Sequence, residues 1–123
     1  MPTLRQFFSM TEAEYAALVT AFHAGEYEQT FRFFLPLAEA GHAEAQGIIG
    51  NMFHLGLGRP ANLTEAMKWY MRSAEQGYPP ALHNIGSIYQ AGGFNGTEPD
   101  LAKAKDWYER SRALGAWFSQ KLD

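Results

Sequence analysis

Residues 43–78 read AEAQGIIGNMFHLGLGRPANLTEAMKWYMRSAEQGY. The stretch holds one helical pattern, a glycine-rich turn and a second helical pattern. Working outward, much of it recurs downstream. Gly50 and Gly86 stand 36 apart, and the same step carries Ala45 to Ala81, Ile49 to Ile85, Phe53 to Tyr89 and Gly56 to Gly92. The pairs Trp69-Tyr70 and Trp107-Tyr108 lie 38 apart, as do Gly77 and Gly115. The second copy therefore holds two additional residues, which the turn Gly92-Gly93-Phe94-Asn95-Gly96 accommodates most easily. Upstream, Gly41 precedes Gly77 by 36, which sets Phe33-Phe34 under Trp69-Tyr70. Three units result, the first with a shorter turn. A unit of this size cannot bury its apolar face alone, so it stacks on its neighbours.

Four groups of residues resemble a known family: Ala43-Glu44-Ala45-Gln46, the run of Gly50, Met52, Phe53, Gly56 and Gly58, then Glu65-Ala66 with Trp69-Tyr70, and Ala74-Glu75-Gln76-Gly77. Together they look like the Sel-one-like repeat (SLR), a relative of the tetratricopeptide repeat. The first unit, with Gly25, Tyr27, Thr30 and Phe34, is nearer the tetratricopeptide pattern. The resemblance implies an all-α fold, a right-handed α-α superhelix (solenoid) of about three helix-turn-helix repeats that binds other proteins. The expected organisation is one domain over residues 1–123, with units at about 11–42, 43–78 and 79–116 and a C-terminal cap at 117–123.

Bulk properties agree. Apolar residues make up 46% and aromatics 15%, too rich for a disordered chain. No apolar run is long enough to cross a membrane, and a net charge of −3 leaves no basic footprint for nucleic acid. The absence of cysteine rules out disulfides and thiolate metal sites; it also separates the chain from the cysteine-rich, secreted branch of the family. Residues 1–10 hold Leu4, Phe7 and Phe8 but lack the form of a signal peptide. They are expected to cover the open edge of the first helix, and cytoplasmic location follows as the default.

Along the chain, Thr11 and Glu14 form a capping box, with Met10 stapled onto Tyr15. Tyr15, Leu18, Val19 and Phe22 repeat at the spacing of one buried stripe, and Gly25 ends that helix. Its partner runs over residues 26–40, with a bend expected near Phe33 from Pro36. In the middle unit Ala45, Ile48, Ile49, Met52 and Phe53 make the core stripe. The recurrence of Gly50 at Gly86 suggests that another helix backbone passes too close for a side chain. Asn62 with Glu65 caps the next helix, in which Leu63, Ala66, Met67, Trp69, Tyr70 and Ala74 face inward while Lys68 and Arg72 face water. The last unit repeats the plan with Ala81, Ile85, Ile88 and Tyr89, then Asp100 as cap, then Leu101, Ala104, Trp107, Tyr108 and Leu114. Gly115 closes it; Trp117, Phe118 and Leu122 open a further short helix that caps the array or meets a partner.

Nothing here names a reaction. Gly56-x-Gly58-x-x-Ala61 matches a loose dinucleotide fingerprint but follows a helix rather than a strand. His23, His42, His54 and His83 have no metal-ligand spacing and read as surface or groove residues, so no cofactor and no metal is expected. The motif Ser-x-x-Lys is absent, so the β-lactam activity linked to the cysteine-rich branch, like any hydrolase function, is only a remote alternative.

The resemblance puts the first helix of each unit on the concave side. Its non-core positions are Glu44, Gly47, Asn51 and His54, then His83, Ser87 and Gln90; Asn84 also matches a family position, whereas Gly47-Ile48 stand where the family carries Tyr-Asn. These residues are the expected groove for a protein or peptide partner, with no nucleic acid and no membrane. Charge runs from −4 over residues 1–50 to +2 over residues 101–123. Weak head-to-tail self-association as a structural scaffold is therefore the second expectation.

Overall fold

The computed structural model describes residues 11–122, with side chains described for residues 11–115. Six α-helices follow one another: α1 Glu12–His23, α2 Tyr27–Glu39, α3 Ala43–Leu55, α4 Leu63–Glu75, α5 Pro79–Ala91 and α6 Leu101–Leu122. No strand occurs among the described residues, and each helix packs on the next. The covering role expected of Leu4, Phe7 and Phe8, the Met10 staple, and the side-chain roles of Trp117, Phe118 and Leu122 lie outside the described residues.

Local chemistry sets the helix starts. The Glu14 N–H donates to Thr11 Oγ1 at 3.1 Å and the Thr11 N–H donates to Glu14 Oε2 at 2.8 Å, a complete capping box. Asn62 and Asp100 each accept the backbone N–H three residues on, at 3.1 and 3.0 Å. Pro79 stands in the first turn of α5, where its missing donor costs nothing. The buried His42, expected at the surface or in the groove, caps α3 instead, its Nδ1 accepting from the Ala45 N–H at 3.5 Å.

Between α3 and α4 the chain turns at Gly56, whose φ of +67° is left-handed and open to glycine at little cost. The corresponding connection between α5 and α6, residues 92–100, is two residues longer and coils into a 3₁₀ turn at Phe94–Gly96. The second copy's additional residues are therefore absorbed where the glycines allow it.

Two apolar clusters hold the stack. Phe34, Leu37 and Ala38 of α2 meet Ala45, Ile49 and Met52 of α3; Ala66, Met67 and Tyr70 of α4 meet Ala81, Ile85 and Ile88 of α5. Phe53 packs against both. Polar bonds recur at repeat spacing: Ser73 donates to the Ala43 carbonyl at 2.7 Å, and Ser111 donates to the Pro79 carbonyl at 2.8 Å. Each fastens the second helix of a unit to the first turn of its own first helix.

Several sequence expectations change. The α1 stripe is only partly covered: Ala21 is its one buried residue, while Tyr15, Leu18 and Phe22 are half-buried and Val19 is 38% exposed. Leu101 is 67% exposed, because it opens α6 beside the longer loop rather than facing a further unit. The helix α2 continues through Pro36 to Glu39, within the run expected over residues 26–40. Likewise α6 continues through Gly115 to Leu122, so no new helix begins there. A glycine weakens a helix by about 1 kcal/mol but does not stop one unless the chain must turn.

Arg72 does not simply face water. Its guanidinium carbon lies 4.7 Å from the Trp69 ring, and Arg110 repeats this over Trp107 at 4.3 Å. Lys68 pairs with Glu65 at 3.2 Å.

Candidate functional site

The glycines of α3 and α5 explain where the tyrosines go. A Cβ on Gly50 would meet Tyr70 Cδ1 and Cε1 at 2.6 Å; on Gly86 it would meet Tyr108 Cε1 at 2.7 Å and Cδ1 at 2.8 Å. What excludes a side chain is therefore an aromatic ring, not chiefly the passing backbone that the recurrence suggested. Only at Gly86 does a backbone atom, the Ala104 carbonyl oxygen at 3.2 Å, add to the contact. Each ring slides across a bare patch of the first helix, and its hydroxyl emerges among polar residues of that helix.

At the second unit, Tyr70 donates its hydroxyl proton to Asn51 Oδ1 at 2.6 Å, and the same oxygen accepts from Asn84 Nδ2 at 3.0 Å. His54 Nδ1 lies 3.1 Å from the Tyr70 oxygen. Tyr70 has one proton and Asn51 takes it, so the histidine must hold its own proton on Nδ1 and donate. Burial lowers the His54 pKa from its ordinary 6.5, which keeps the imidazole neutral at pH 7. Burial also pushes the Tyr70 phenol well above its ordinary value, so it remains a donor.

At the third unit, Tyr108 donates its proton to Gln90 Oε1 at 2.6 Å and its hydroxyl oxygen lies 3.3 Å from Ser87 Oγ, while the His83 ring centroid lies 4.9 Å from its own. Ser87 and Gln90 stand 36 residues beyond Asn51 and His54, so the arrangement is the same one with different side chains.

Of the expected groove residues, the structure thus joins Asn51, His54 and Asn84 in one cluster and His83, Ser87 and Gln90 in another. Glu44 belongs to neither. It sits in the first turn of α3, near Tyr78, whose hydroxyl is pushed up to about 12 by burial first and then by the charges of Glu44 and Tyr15. Gly47 is not a groove position: it is buried, and a Cβ there would meet Tyr78 Cε2 at 2.9 Å. Sequence reasoning assigned Tyr70 and Tyr108 to the core alone and missed their hydroxyls. The signal was present, since both tyrosines recur opposite polar pairs at 51/54 and 87/90, whereas Phe34 takes their place in the first unit.

Hydrogen-bond counting shows what remains available. Asn51 Oδ1 accepts two bonds, while its amide nitrogen has no partner among the described residues. Asn84 is the reverse: its nitrogen is used, and its oxygen has no partner among the described residues. Half-buried, the pair presents a donor and an acceptor side by side.

Beyond Tyr108 the face of α6 changes character. Lys105, Glu109 and Arg112 stand 38 residues beyond Met67, Met71 and Ala74, so charges replace the apolar groups at the inner junction. Among the described residues no group of acids, histidines and cysteines could hold a metal ion, and no helix is long and apolar enough to cross a membrane.

A Sel1 repeat model matches residues 43–78 and 79–115. The chain is similar to the ERAD-associated E3 ubiquitin-protein ligase component HRD3A of Arabidopsis thaliana, 30% identical over 69 residues covering 55% of this chain and 10% of that protein. It is also similar to the chitin synthase regulator SKT5 of Malassezia restricta, 36% identical over 76 residues covering 60% of this chain and 5% of that protein. The chain therefore spans a tenth or less of the length of these relatives. The crystal structure of a Sel1 repeat protein from Oxalobacter formigenes superposes with a TM-score of 0.67 at 29% identity, covering 78% of this chain and 39% of that one. Sel1 repeat proteins generally mediate contacts between proteins. With repeats matched over more than half its length and the solenoid architecture shared, this chain belongs to the Sel1 repeat family.

Proposed function

We propose that the chain is a non-enzymatic adaptor that holds an extended segment of a partner protein along the face formed by α1, α3 and α5. Residues 11–42 act as a divergent first unit of the same array. The observation that carries this reading is the pair Asn51 and Asn84, whose mutual bond leaves the Asn51 amide NH2 group and the Asn84 carbonyl oxygen unspent. Every peptide unit offers the complementary acceptor and donor, so an extended backbone is recognised without demanding one side chain. Ser87, His83 and Gln90 continue the polar track one repeat further.

Self-association through the ends gains less support. The face of α6 carries both signs, and its charges pair locally, Lys105 with Glu109 at 4.0 Å and Arg110 with Asp106 at 3.7 Å. A surface neutralised in this way offers little to an acidic partner end.

The test is quantitative capture from the source cell's lysate with the wild-type chain and with His83→Arg/Ser87→Arg, which places two cations on the groove surface of α5. A partner retained by the wild type and lost by an equally stable variant is the expected result. Identical captures from both forms would remove the groove from the proposal.

A further inference from the structure

A cavity of about 260 Å³ opens between α1 and α3. Its wall is predominantly apolar, with Leu18, Val19 and Phe22 of α1, Phe34 of α2 and Ile48 of α3, while Tyr15, His23 and Asn51 add polar groups. No aspartate, glutamate, lysine or arginine takes part. Phe34 is the counterpart of Tyr70, and Ile48 is the counterpart of Asn84, each 36 residues earlier. At the first junction, therefore, the phenol has lost its hydroxyl and the amide has become a hydrocarbon. The place where the next repeat builds a hydrogen-bonded cluster is here an apolar recess.

Resting on the groove reading above, we infer that this recess is the anchor pocket for one large aliphatic or aromatic side chain, carried by the extended segment of a partner protein whose backbone Asn51 holds. Three observations select that occupant. The volume is below the roughly 300–1,000 Å³ of sites for cofactors and drug-sized ligands, and suits a side chain. A predominantly apolar wall without a carboxylate, ammonium or guanidinium group selects against acidic and basic residues, whose desolvation it offsets poorly. Finally, Asn51 belongs to both sites: its oxygen is spent on Tyr70 and Asn84, its amide nitrogen has no partner among the described residues, and the residue lines the recess, so that nitrogen is free to donate to the carbonyl of the anchoring residue or its neighbour. Along an extended segment the anchor is followed by residues that meet the polar cluster of α5.

Selection of random 12-residue peptides displayed on phage against the full chain supplies the probe, the dominant peptide then being synthesised with a fluorescent label. The expected consensus has a Leu, Ile, Met, Phe or Trp at one fixed position. Val19→Arg puts a charge at the mouth of the recess, and Val19→Trp fills it with apolar surface. Either change weakens the peptide roughly tenfold or more, the effect of excluding one large apolar side chain. Having two variants of opposite chemistry guards against misfolding of one. Asn51→Asp keeps the oxygen that accepts from Tyr70 and Asn84 but exchanges the free NH2 donor for a second oxygen, an acceptor. It weakens binding severalfold, whereas a purely structural role for residue 51 would leave binding unchanged.

A consensus without an apolar residue, or binding indifferent to both Val19 variants, overturns the anchor. Loss with His83→Arg/Ser87→Arg but not with the Val19 variants retains the groove and removes only the pocket; an empty selection overturns both. If the wild type binds no peptide while Leu4→Ser/Phe7→Ser/Phe8→Ser binds one, the occupant is the chain's own first ten residues. A dimer that Val19→Arg converts to a monomer assigns the recess to a second copy. Either of these last two results defeats the inference of a partner segment.

Discussion

The junction between the second and third units and the junction between the first and second are built from the same positions and do different things. At the inner junction, Tyr70 is fully buried, crosses Gly50 and ends in a hydrogen-bonded cluster with Asn51, His54 and, through Asn51, Asn84. At the outer one, Phe34 and Ile48 line a recess, and α1 lies over it with Val19 exposed. The tyrosine hydroxyl makes the difference. A buried phenol needs partners, so it fixes the rotamers of the residues around it; a phenyl ring imposes nothing of the kind and leaves space. Repeats on one scaffold thus differ between a hydrogen-bonded polar cluster and an apolar recess through four positions, Tyr70, Asn51, His54 and Asn84 standing where the first unit has Phe34, Tyr15, Leu18 and Ile48.

The largest effect comes from erasing what makes the inner face a junction at all. Met67 is 5% exposed against α5, and Lys105 holds the equivalent place on the outward face of α6. Met67→Lys buries an ammonium without a partner and should cost about 3–5 kcal/mol, enough to leave much of the chain unfolded in a urea titration. The converse, Lys105→Met, should stay within about 0.5 kcal/mol of wild type, as surface changes usually do. Equal effects from the two substitutions would mean that α6 is covered in solution as α4 is.

Gly50→Ala and Gly86→Ala test the ring crossing. Alanine improves helix propensity by about 1 kcal/mol, yet its methyl would fall 2.6 Å from Tyr70 at position 50 and 2.7 Å from Tyr108 at position 86. Overpacking of this kind costs about 1–3 kcal/mol, so both variants should melt lower. Gly86→Ala should be the worse, because the Ala104 carbonyl cannot swing aside as a ring can. Stabilisation by either alanine would show that the ring contact is loose.

Exchanging the two rings is subtler. Tyr70→Phe removes the donor to Asn51 and strands the His54 N–H, a loss of about 1–2 kcal/mol measurable by chemical denaturation. Phe34→Tyr places a hydroxyl in the apolar recess and should also destabilise, by about 1 kcal/mol or less, since Asn51 stands near enough to offer partial compensation. A gain in stability from Phe34→Tyr would make the first junction a polar cluster waiting for its hydroxyl, against the socket described above.

The helices and the core were legible because periodicity and repeat spacing speak of burial directly. Ala45, Ile49, Met52, Ala66, Tyr70, Ala81, Ile85 and Ile88 all lie in the core, and Thr11, Asn62 and Asp100 cap as their positions imply. The polar clusters were legible only as a set of positions. That Asn51, His54, Ser87 and Gln90 bond to tyrosines of the other helix depends on side-chain reach across a unit, which no spacing along one helix reveals. The exposure of Val19 and Leu101 escaped for the opposite reason: an apolar stripe states which face is buried, not whether a neighbour exists to bury it. Gly115 misled because a glycine that closes an inner unit has no turn to make when α6 simply runs on.

The smallest effect separates the two polar clusters from each other. His54 and Gln90 occupy equivalent places beside Tyr70 and Tyr108, but only the histidine titrates in the range near neutrality. Its folded pKa lies below the ordinary 6.5 because burial disfavours the imidazolium. Between that lowered value and 6.5 the unfolded chain binds more protons than the folded one, so stability must fall as pH drops through this window and is fully present above it. His54→Gln copies the third unit, keeps a side chain able to bond the Tyr70 hydroxyl, and removes the titration. Thermal melts between pH 7.5 and about 5 should then differ in slope, the wild type losing stability toward the acid end more steeply than the variant. Parallel curves would mean that the Nδ1–H bond to Tyr70, which persists in the imidazolium, offsets the burial of its charge, and the two clusters would then be equivalent in pH response as well as in geometry.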